Sequence, residues 1–125
     1  MTLSEFERGV LEKLLEGENP VLVALRLQLD FVTVKDREWT GVGFYTSLHV
    51  LDGAAAAPEL ARTHVGAGVH AEIPGVEHGA GFVLWIRDGF LDCLEGYCYD
   101  ETWNDPPLTF KLSSTPTRKQ ISESQ

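Results

Sequence analysis

The sequence predicts an α+β fold in which two N-terminal helices pack on one face of a mainly antiparallel sheet of four to five strands. Three observations support this prediction. Apolar residues recur at helical spacing as far as Leu29, the spacing then changes toward two, and an Asp-Gly pair separates two long alternating runs. We expect residues 1–112 to form a single domain and the polar tail 113–125 to be disordered.

Both helices have clear start signals. Ser4 opens a capping box with Glu7 three residues later, and Gly17 ends the apolar stripe that follows. Asn19 and Pro20 begin the second helix, because Asn caps well and Pro suits the first helical position. Few residues of this second helix are polar, which predicts burial on more than one side.

The strands follow from alternation of apolar and polar residues. Residues 37–50 are predicted to form one long strand, with 32–34 before it as either a short strand or a linker. The segment 51–63 is predicted to be a loop. Alternation returns over 65–73, and LTFKL at 108–112 is predicted to be the last strand.

The most legible segment is GAGFVLWIRDGFLDCLEGYCYD, which reads as a β-hairpin. Asp88 and Gly89 favour a two-residue type I′ turn, and this turn would place Arg87 opposite Phe90. Cross-strand partners share a face of the sheet, so the turn predicts which side chains face the helices.

Glu95 does not fit that pattern. An unbroken register pairs it with Phe82, on the face that should meet the helices. A carboxyl group buried there would have a raised pKa and could act as a general acid or base. Two other interpretations are open: a bulge at Gly96 could turn Glu95 outward, or Tyr97, Tyr99 or a backbone N–H could hydrogen-bond a buried carboxylate.

The opposite face of the sheet is a candidate binding surface. It combines aromatic and polar side chains above a floor rich in glycine, which suits close approach of a ligand. The same composition suits a homodimer interface, and the loop and the C-terminal segment could also cover it. The candidate binding residues are Trp39, Tyr45, His70, Glu72, Trp85, Asp92 and, from the hairpin, Glu95.

No complete catalytic or metal-binding set is evident. His70-Ala71-Glu72 matches the first half of the zinc deaminase signature, but that chemistry also needs P-C-x-x-C. Cys93 and Cys98 have the wrong gap and no preceding proline. Their odd spacing on a strand points them to opposite faces, which argues against a disulfide. The sequence therefore predicts no metal and no cofactor.

Charge narrows the possible partners. With 19 acidic against 10 basic residues, the formal net charge is −9. A nucleic-acid binder needs a positive surface, so nucleic acid and anionic membrane are not expected partners. The N-terminus lacks the basic and apolar regions of a secretory signal, and no apolar run approaches a membrane span. We expect a cytoplasmic protein.

The segments at 19–29, 40–50 and 71–103 resemble a family of small uncharacterised bacterial proteins. The resemblance is carried by T-G-V-G-F, H-G-A-G-F, D-G and L-E-G-Y-x-Y-D-E-x-W. It implies that Glu95, Gly96, Tyr97 and Trp103 belong to one recurring unit, and it implies no activity.

The sequence favours a non-enzymatic cytoplasmic binding or protein-interaction module, with a protein partner or a second copy on the aromatic and histidine-bearing face. One alternative is a small enzyme or small-molecule-binding protein with Glu95 or the His70 and Glu72 pair in a pocket. A third is an acidic immunity or inhibitor protein, by analogy of class alone.

Overall fold

The computed structural model describes residues 1–57, 62–114 and 120–123. In these ranges α1 spans Glu5–Leu14, α2 spans Pro20–Leu27, and a 3₁₀ helix spans Gln28–Phe31. The strands are β1 (Val32–Trp39), β2 (Gly43–Val50), β3 (Arg62–Ile73), β4 (Val76–Arg87), β5 (Phe90–Cys98), β6 (Lys111–Ser114) and β7 (Gln120–Glu123).

The fold is α+β with a mainly antiparallel sheet, as predicted. The strand order is β1-β2-β5-β4-β3-β6, and β7 pairs with β3. The prediction of four to five strands is wrong, because the sheet formed by the described residues has seven. A turn divides the predicted strand 37–50, and the predicted tail 113–125 supplies the end of β6 and all of β7. Residues 115–119 and 124–125 of that tail lie outside the described residues.

The turn that divides the predicted long strand lies in Thr40-Gly41-Val42-Gly43. The Thr40 N–H donates to the Gly43 carbonyl at 2.9 Å, and Trp39 faces Phe44 across the hairpin. Gly41 has a φ of +96°, which residues with a Cβ rarely adopt. The glycines thus make a turn between β1 and β2 where alternation alone indicated a continuous strand.

The helix starts are as predicted. The Ser4 side chain accepts from the Glu7 N–H and the Glu7 carboxylate accepts from the Ser4 N–H, which completes the capping box. The Asn19 side chain caps α2, and Pro20 is its first residue. Among the described residues, no helix is both long enough and apolar enough to cross a membrane.

The β4–β5 hairpin has the predicted turn. Asp88 and Gly89 both have positive φ, 53° and 84°, as a type I′ turn requires. Arg87 faces Phe90, as the sequence predicts.

The register changes further along this hairpin. β5 has one extra residue at Asp92, so every later residue is displaced by one position. Glu95 therefore lies opposite Val83, and its predicted pairing with Phe82 is wrong. The bulge that turns Glu95 away from the core is at Asp92 and not at Gly96, where the sequence suggested one.

An aromatic cluster joins α1 to the sheet. The ring of Phe6 lies 4.9–6.3 Å, centroid to centroid, from four other rings in edge-to-face contacts. Such pairs contribute about 0.5–1.5 kcal/mol each beyond the burial of their area. The four rings belong to Phe44, Phe82, Trp103 and Phe110.

Trp39 belongs to the same cluster. Its ring lies 5.1 Å from that of Phe44 and 5.5 Å from that of Trp103, both of which are buried. The predicted position of Trp39 on the face away from the helices is therefore wrong. The physical reason is the turn at residues 40–43, which interrupts the predicted alternation: Trp39 pairs with Phe44 across the hairpin and so shares the inward face of Phe44.

Glu7 also has a second role, which the sequence does not indicate. Glu7 is buried, and its carboxylate accepts from Arg37 Nε at 2.8 Å, Arg37 Nη2 at 2.7 Å and the Thr46 hydroxyl at 2.7 Å. Burial alone would raise the pKa of Glu7, but the hydrogen bonds from Arg37, Ser4 and Thr46 outweigh it and lower the pKa. This ion pair joins the start of α1 to β1 and β2.

Gln28 is fully buried and supports the β4–β5 turn. Its Nε2 donates to the carbonyls of Ala55 and Gly89, at 2.9 and 2.8 Å, and its Oε1 accepts from the Leu91 N–H at 3.0 Å. A buried amide with three partners meets the requirement that interior polar groups be hydrogen-bonded.

Candidate binding surface

Alternation along the strands gives the sheet a second side, which we call the outer face. Its residues alternate with core residues, and all of them are half-buried or exposed. They are Tyr45, Ser47 and His49 on β2, His64 and His70 on β3, Val83 and Trp85 on β4, and Cys93, Glu95 and Tyr97 on β5.

Glu95 lies near the middle of this face. Its Oε1 accepts from Trp85 Nε1 at 3.1 Å, and its Oε2 accepts from the Tyr45 hydroxyl at 3.4 Å. Glu38 on β1 also lies opposite Tyr45, on the side of β2 away from β5. We call Glu38, Tyr45, Trp85 and Glu95 the Glu95 cluster. Its members come from β1, β2, β4 and β5, so only the tertiary fold assembles it.

The cluster is negatively charged. The charge of Glu95 raises the pKa of the Tyr45 phenol, and burial, the hydrogen bond to Glu95 and the charge of Glu38 add to the shift. The phenol therefore stays protonated at neutral pH and remains a donor to Glu95. Tyr45 is 40% exposed, so solvent reaches this part of the face.

A shallow depression adjoins the cluster. Its volume is about 210 Å³, and its lining includes Tyr45, Trp85, Arg87, Asp92 and Cys93. Burial raises the pKa of the Cys93 thiol to about 11, and the charges of Asp92 and Glu95 act in the same direction. Cys93 is consequently a neutral thiol near pH 7 and a poor nucleophile.

Cys98 does not meet Cys93. It points into the core side of β5, opposite Ala80, and both cysteines are free thiols. Their placement on opposite faces is as predicted from their spacing.

Gly81, one of the glycines of the outer face, is covered by the chain's own rings. A Cβ at Gly81 would lie 2.7 Å from the ring of Tyr97 and 2.8 Å from the Tyr99 hydroxyl. The two rings contact each other edge to face at 5.6 Å. Burial raises the pKa of Tyr97, and Tyr99 adds to the shift. This glycine makes room for Tyr97 and Tyr99 and not for an external ligand.

His70 and Glu72 lie in a different place from the Glu95 cluster. Both line an open cleft of about 580 Å³ with His78 and Lys111, near the turn between β3 and β4. Glu101 holds the adjacent backbone, because its carboxylate accepts from the N–H groups of His78 and Glu77, and these hydrogen bonds lower the pKa of Glu101.

The structure thus separates the predicted binding residues into three groups. Tyr45, Trp85, Asp92 and Glu95 come together around the cluster and the depression. His70 and Glu72 line the separate cleft, and Trp39 lies in the aromatic core. No group of three or more histidine, cysteine, aspartate or glutamate side chains could hold a metal ion in the described part of the chain.

Sequence reasoning did not identify His64 or Cys93 as members of this face, or Glu38 as a member of the Glu95 cluster. His64 lies 5.2 Å from the ring of Trp85, centroid to centroid, and its buried Nδ1 has no hydrogen-bond partner. The predicted strand began at Val65, one residue after His64, and the bulge at Asp92 reverses the face that an unbroken hairpin register gives Cys93.

Comparison of the chain with protein-family models, with curated proteins and with solved structures gave no match. The resemblance described from the sequence segments therefore stays a prediction.

Proposed function

We propose that this chain is a non-enzymatic protein-interaction module that binds a protein partner through the outer face of its sheet. The observation that supports the proposal is the Glu95 cluster, where Tyr45 and Trp85 hold a half-buried carboxylate on an open sheet surface. Trp and Tyr are the residue types that contribute most to interface energies. Because α1 packs against β3, β4 and β6 through the aromatic core, we infer that the opposite, outer face is the side that receives a partner.

The edge of the sheet at β1, where Met1 hydrogen-bonds to Val34, argues in the same direction. β1 is an edge strand, its pairing is irregular after Val34, and four consecutive charged residues follow at 35–38. Charges and bulges on an edge oppose strand addition by another chain. We therefore expect a partner to bind to the outer face and not to pair with the β1 edge. The two free thiols support a reducing compartment, and we place the protein in the cytoplasm.

The test is capture of a partner from the cells that produce the protein, followed by measurement with the purified partner. The face variant is the double substitution Tyr45→Ser and Trp85→Ser. The matched control is Leu27→Ser with Leu108→Ser, which also removes two exposed apolar side chains, 68% and 99% exposed, outside the outer face.

We expect the face variant to bind the identified partner at least about tenfold more weakly, since hot-spot aromatic residues contribute 2 kcal/mol or more. The control should bind like the wild type. Circular dichroism and urea denaturation must show that both variants are folded. Equal affinities of the folded face variant and the wild type would refute the proposal.

A second candidate function is binding of a small molecule in the cleft beside His70, which the volume and the polar lining of that cleft support. A thermal-shift screen of metabolites tests it, with every hit repeated on His70→Ala. Hits that stabilise the wild type and the variant equally would argue against this site.

A further inference from the structure

We propose that the Glu95 cluster receives a cationic side chain, of arginine or lysine, from a basic protein partner. This inference rests on the proposed function and names the chemistry of the partner. It concerns the outer face alone, and the occupant is a second, positively charged protein.

The geometry leaves the carboxylate able to accept further hydrogen bonds. Each oxygen of Glu95 accepts one bond, from Trp85 at 3.1 Å or from Tyr45 at 3.4 Å. A carboxylate offers about four lone-pair directions, so two of them are unused by these bonds. A guanidinium or ammonium group arriving from solvent could take these directions while its stem lies along the exposed ring of Tyr45.

The two donors also fix the position of the carboxylate before a partner arrives. Trp85 is half-buried in the sheet and holds one oxygen, so Glu95 does not have to be ordered during binding. Binding sites whose groups are already in place lose less conformational entropy when the partner docks.

The charge around the cluster favours a cation. Glu38 and Glu95 lie on the two strands that flank Tyr45, and both raise the pKa of its phenol, Glu95 more strongly. Asp92 adds a third carboxylate in the adjoining depression. Arg87, which also lines that depression, forms no ion pair among the described residues, so the local excess of negative charge is not cancelled by pairing.

Electrostatics argue against a second copy of this chain as the occupant. Each copy carries a net charge of −9, and a symmetric face-to-face dimer would bring the Glu38 and Glu95 carboxylates of both copies together. Like charges placed together in an interface are strongly unfavourable. A basic partner converts the same charges into attraction and faster association.

The experiment observes Trp85 directly. In the ¹⁵N-labelled full chain the three tryptophans give three indole N–H resonances, and Trp85→Phe assigns the one that bonds to Glu95. The probe is the peptide acetyl-(Gly-Arg)₄-amide, with the corresponding lysine and glutamate peptides as comparisons. The expected result is a saturable shift of the Trp85 indole resonance with the arginine or lysine peptide and none with the glutamate peptide.

Glu95→Gln should lower the affinity for the arginine peptide at least about fivefold, because the substitution removes a charge-assisted hydrogen bond. Glu18→Gln removes the same charge from the loop between α1 and α2 and should change the affinity less than about twofold. Equal effects of the two substitutions, or saturation without movement of the Trp85 resonance, would mean general attraction by an acidic surface and would overturn the inference. Retained ¹H–¹⁵N dispersion confirms that each variant is folded.

Partner capture distinguishes failure of this inference from failure of the proposed function. If the folded Tyr45→Ser, Trp85→Ser variant loses the partner while Glu95→Gln retains it at wild-type affinity, the outer face binds a partner but not through a cation. If the face variant also retains the partner, the proposed function itself fails. Loss of affinity in both variants supports the inference.

Discussion

Replacing Glu7 by glutamine tests the ion pair that joins α1 to the sheet. The substitution keeps the size and shape of the side chain, but it removes the charge and replaces one acceptor oxygen by a donor. Four donor groups point at the native carboxylate: two nitrogens of Arg37, the Thr46 hydroxyl and the Ser4 N–H. The glutamine amide cannot accept from all of them.

The expected loss follows from these contacts. Breaking a fully buried ion pair costs about 3–5 kcal/mol, and a single hydrogen bond to a charged group contributes about 1.5–3 kcal/mol. The Glu7 side chain is only 6% exposed, but that of Arg37 is 31% exposed and keeps its bond to the Thr2 carbonyl. Solvent screening of Arg37 therefore reduces the cost, and we expect a loss of about 2–3 kcal/mol.

Urea denaturation at pH 7 measures this loss. If the free energy of unfolding falls by about 1.5 kcal/mol per M urea, the urea concentration at the midpoint of unfolding should fall by about 1–2 M, and this dependence on urea should not change. The low pKa of folded Glu7 gives a pH dependence of defined sign. The stabilisation by Glu7 is complete above the pKa of about 4.3 that Glu has in the unfolded chain, and it is lost as the pH falls through the lower pKa of Glu7 in the folded chain. The difference between wild type and variant should therefore narrow below about pH 4.

Glu5→Gln is the control, because Glu5 lies exposed in the same first turn of α1. It should cost less than about 1 kcal/mol, mainly through the helix dipole. If Glu7→Gln is no more destabilising than Glu5→Gln, or if its effect does not depend on pH, the role assigned to this ion pair is wrong.

Two further predictions concern other buried groups. Gln28→Leu should lower the free energy of unfolding, measured by urea denaturation, by about 2–4 kcal/mol, because the Ala55 carbonyl and the Leu91 N–H lose their hydrogen-bond partner. The control is Leu27→Ala at the exposed neighbouring position, which should change the free energy of unfolding little. The Cys93 thiol, with a pKa of about 11, should react with iodoacetamide roughly a hundredfold more slowly at pH 8 in the folded chain than in urea. Mass spectrometry of the Cys93 peptide measures this rate, and equal rates in the two states would contradict the raised pKa.

Local signals predicted the parts of the fold that depend on a few neighbouring residues. The caps at Ser4 and Asn19 and the turn at Asp88-Gly89 all have the predicted form. Each is decided by the conformational preferences of two to four residues, and tertiary packing did not override them. The number of strands was not predictable in this way, because Gly41 supports either a strand or a turn.

Glu95 illustrates what alternation could not give. The sequence identified it as the residue that does not fit the hairpin, and it offered an outward bulge as one explanation. The bulge is at Asp92, and one extra residue there transfers Glu95 to the side of Trp85 and Tyr45. Because side chains alternate with a period of two, a single inserted residue reverses every assignment that follows it.

The sequence by itself determined the class of fold, both helix starts, the β4–β5 turn and the acidic charge of the molecule. The tertiary structure decided which residues meet. It placed Trp39 in the aromatic core, separated His70 from Glu95, and assembled the Glu95 cluster from four strands. The reason is physical: caps and turns are properties of adjacent residues, whereas the face that a strand residue occupies depends on every bulge between it and the turn.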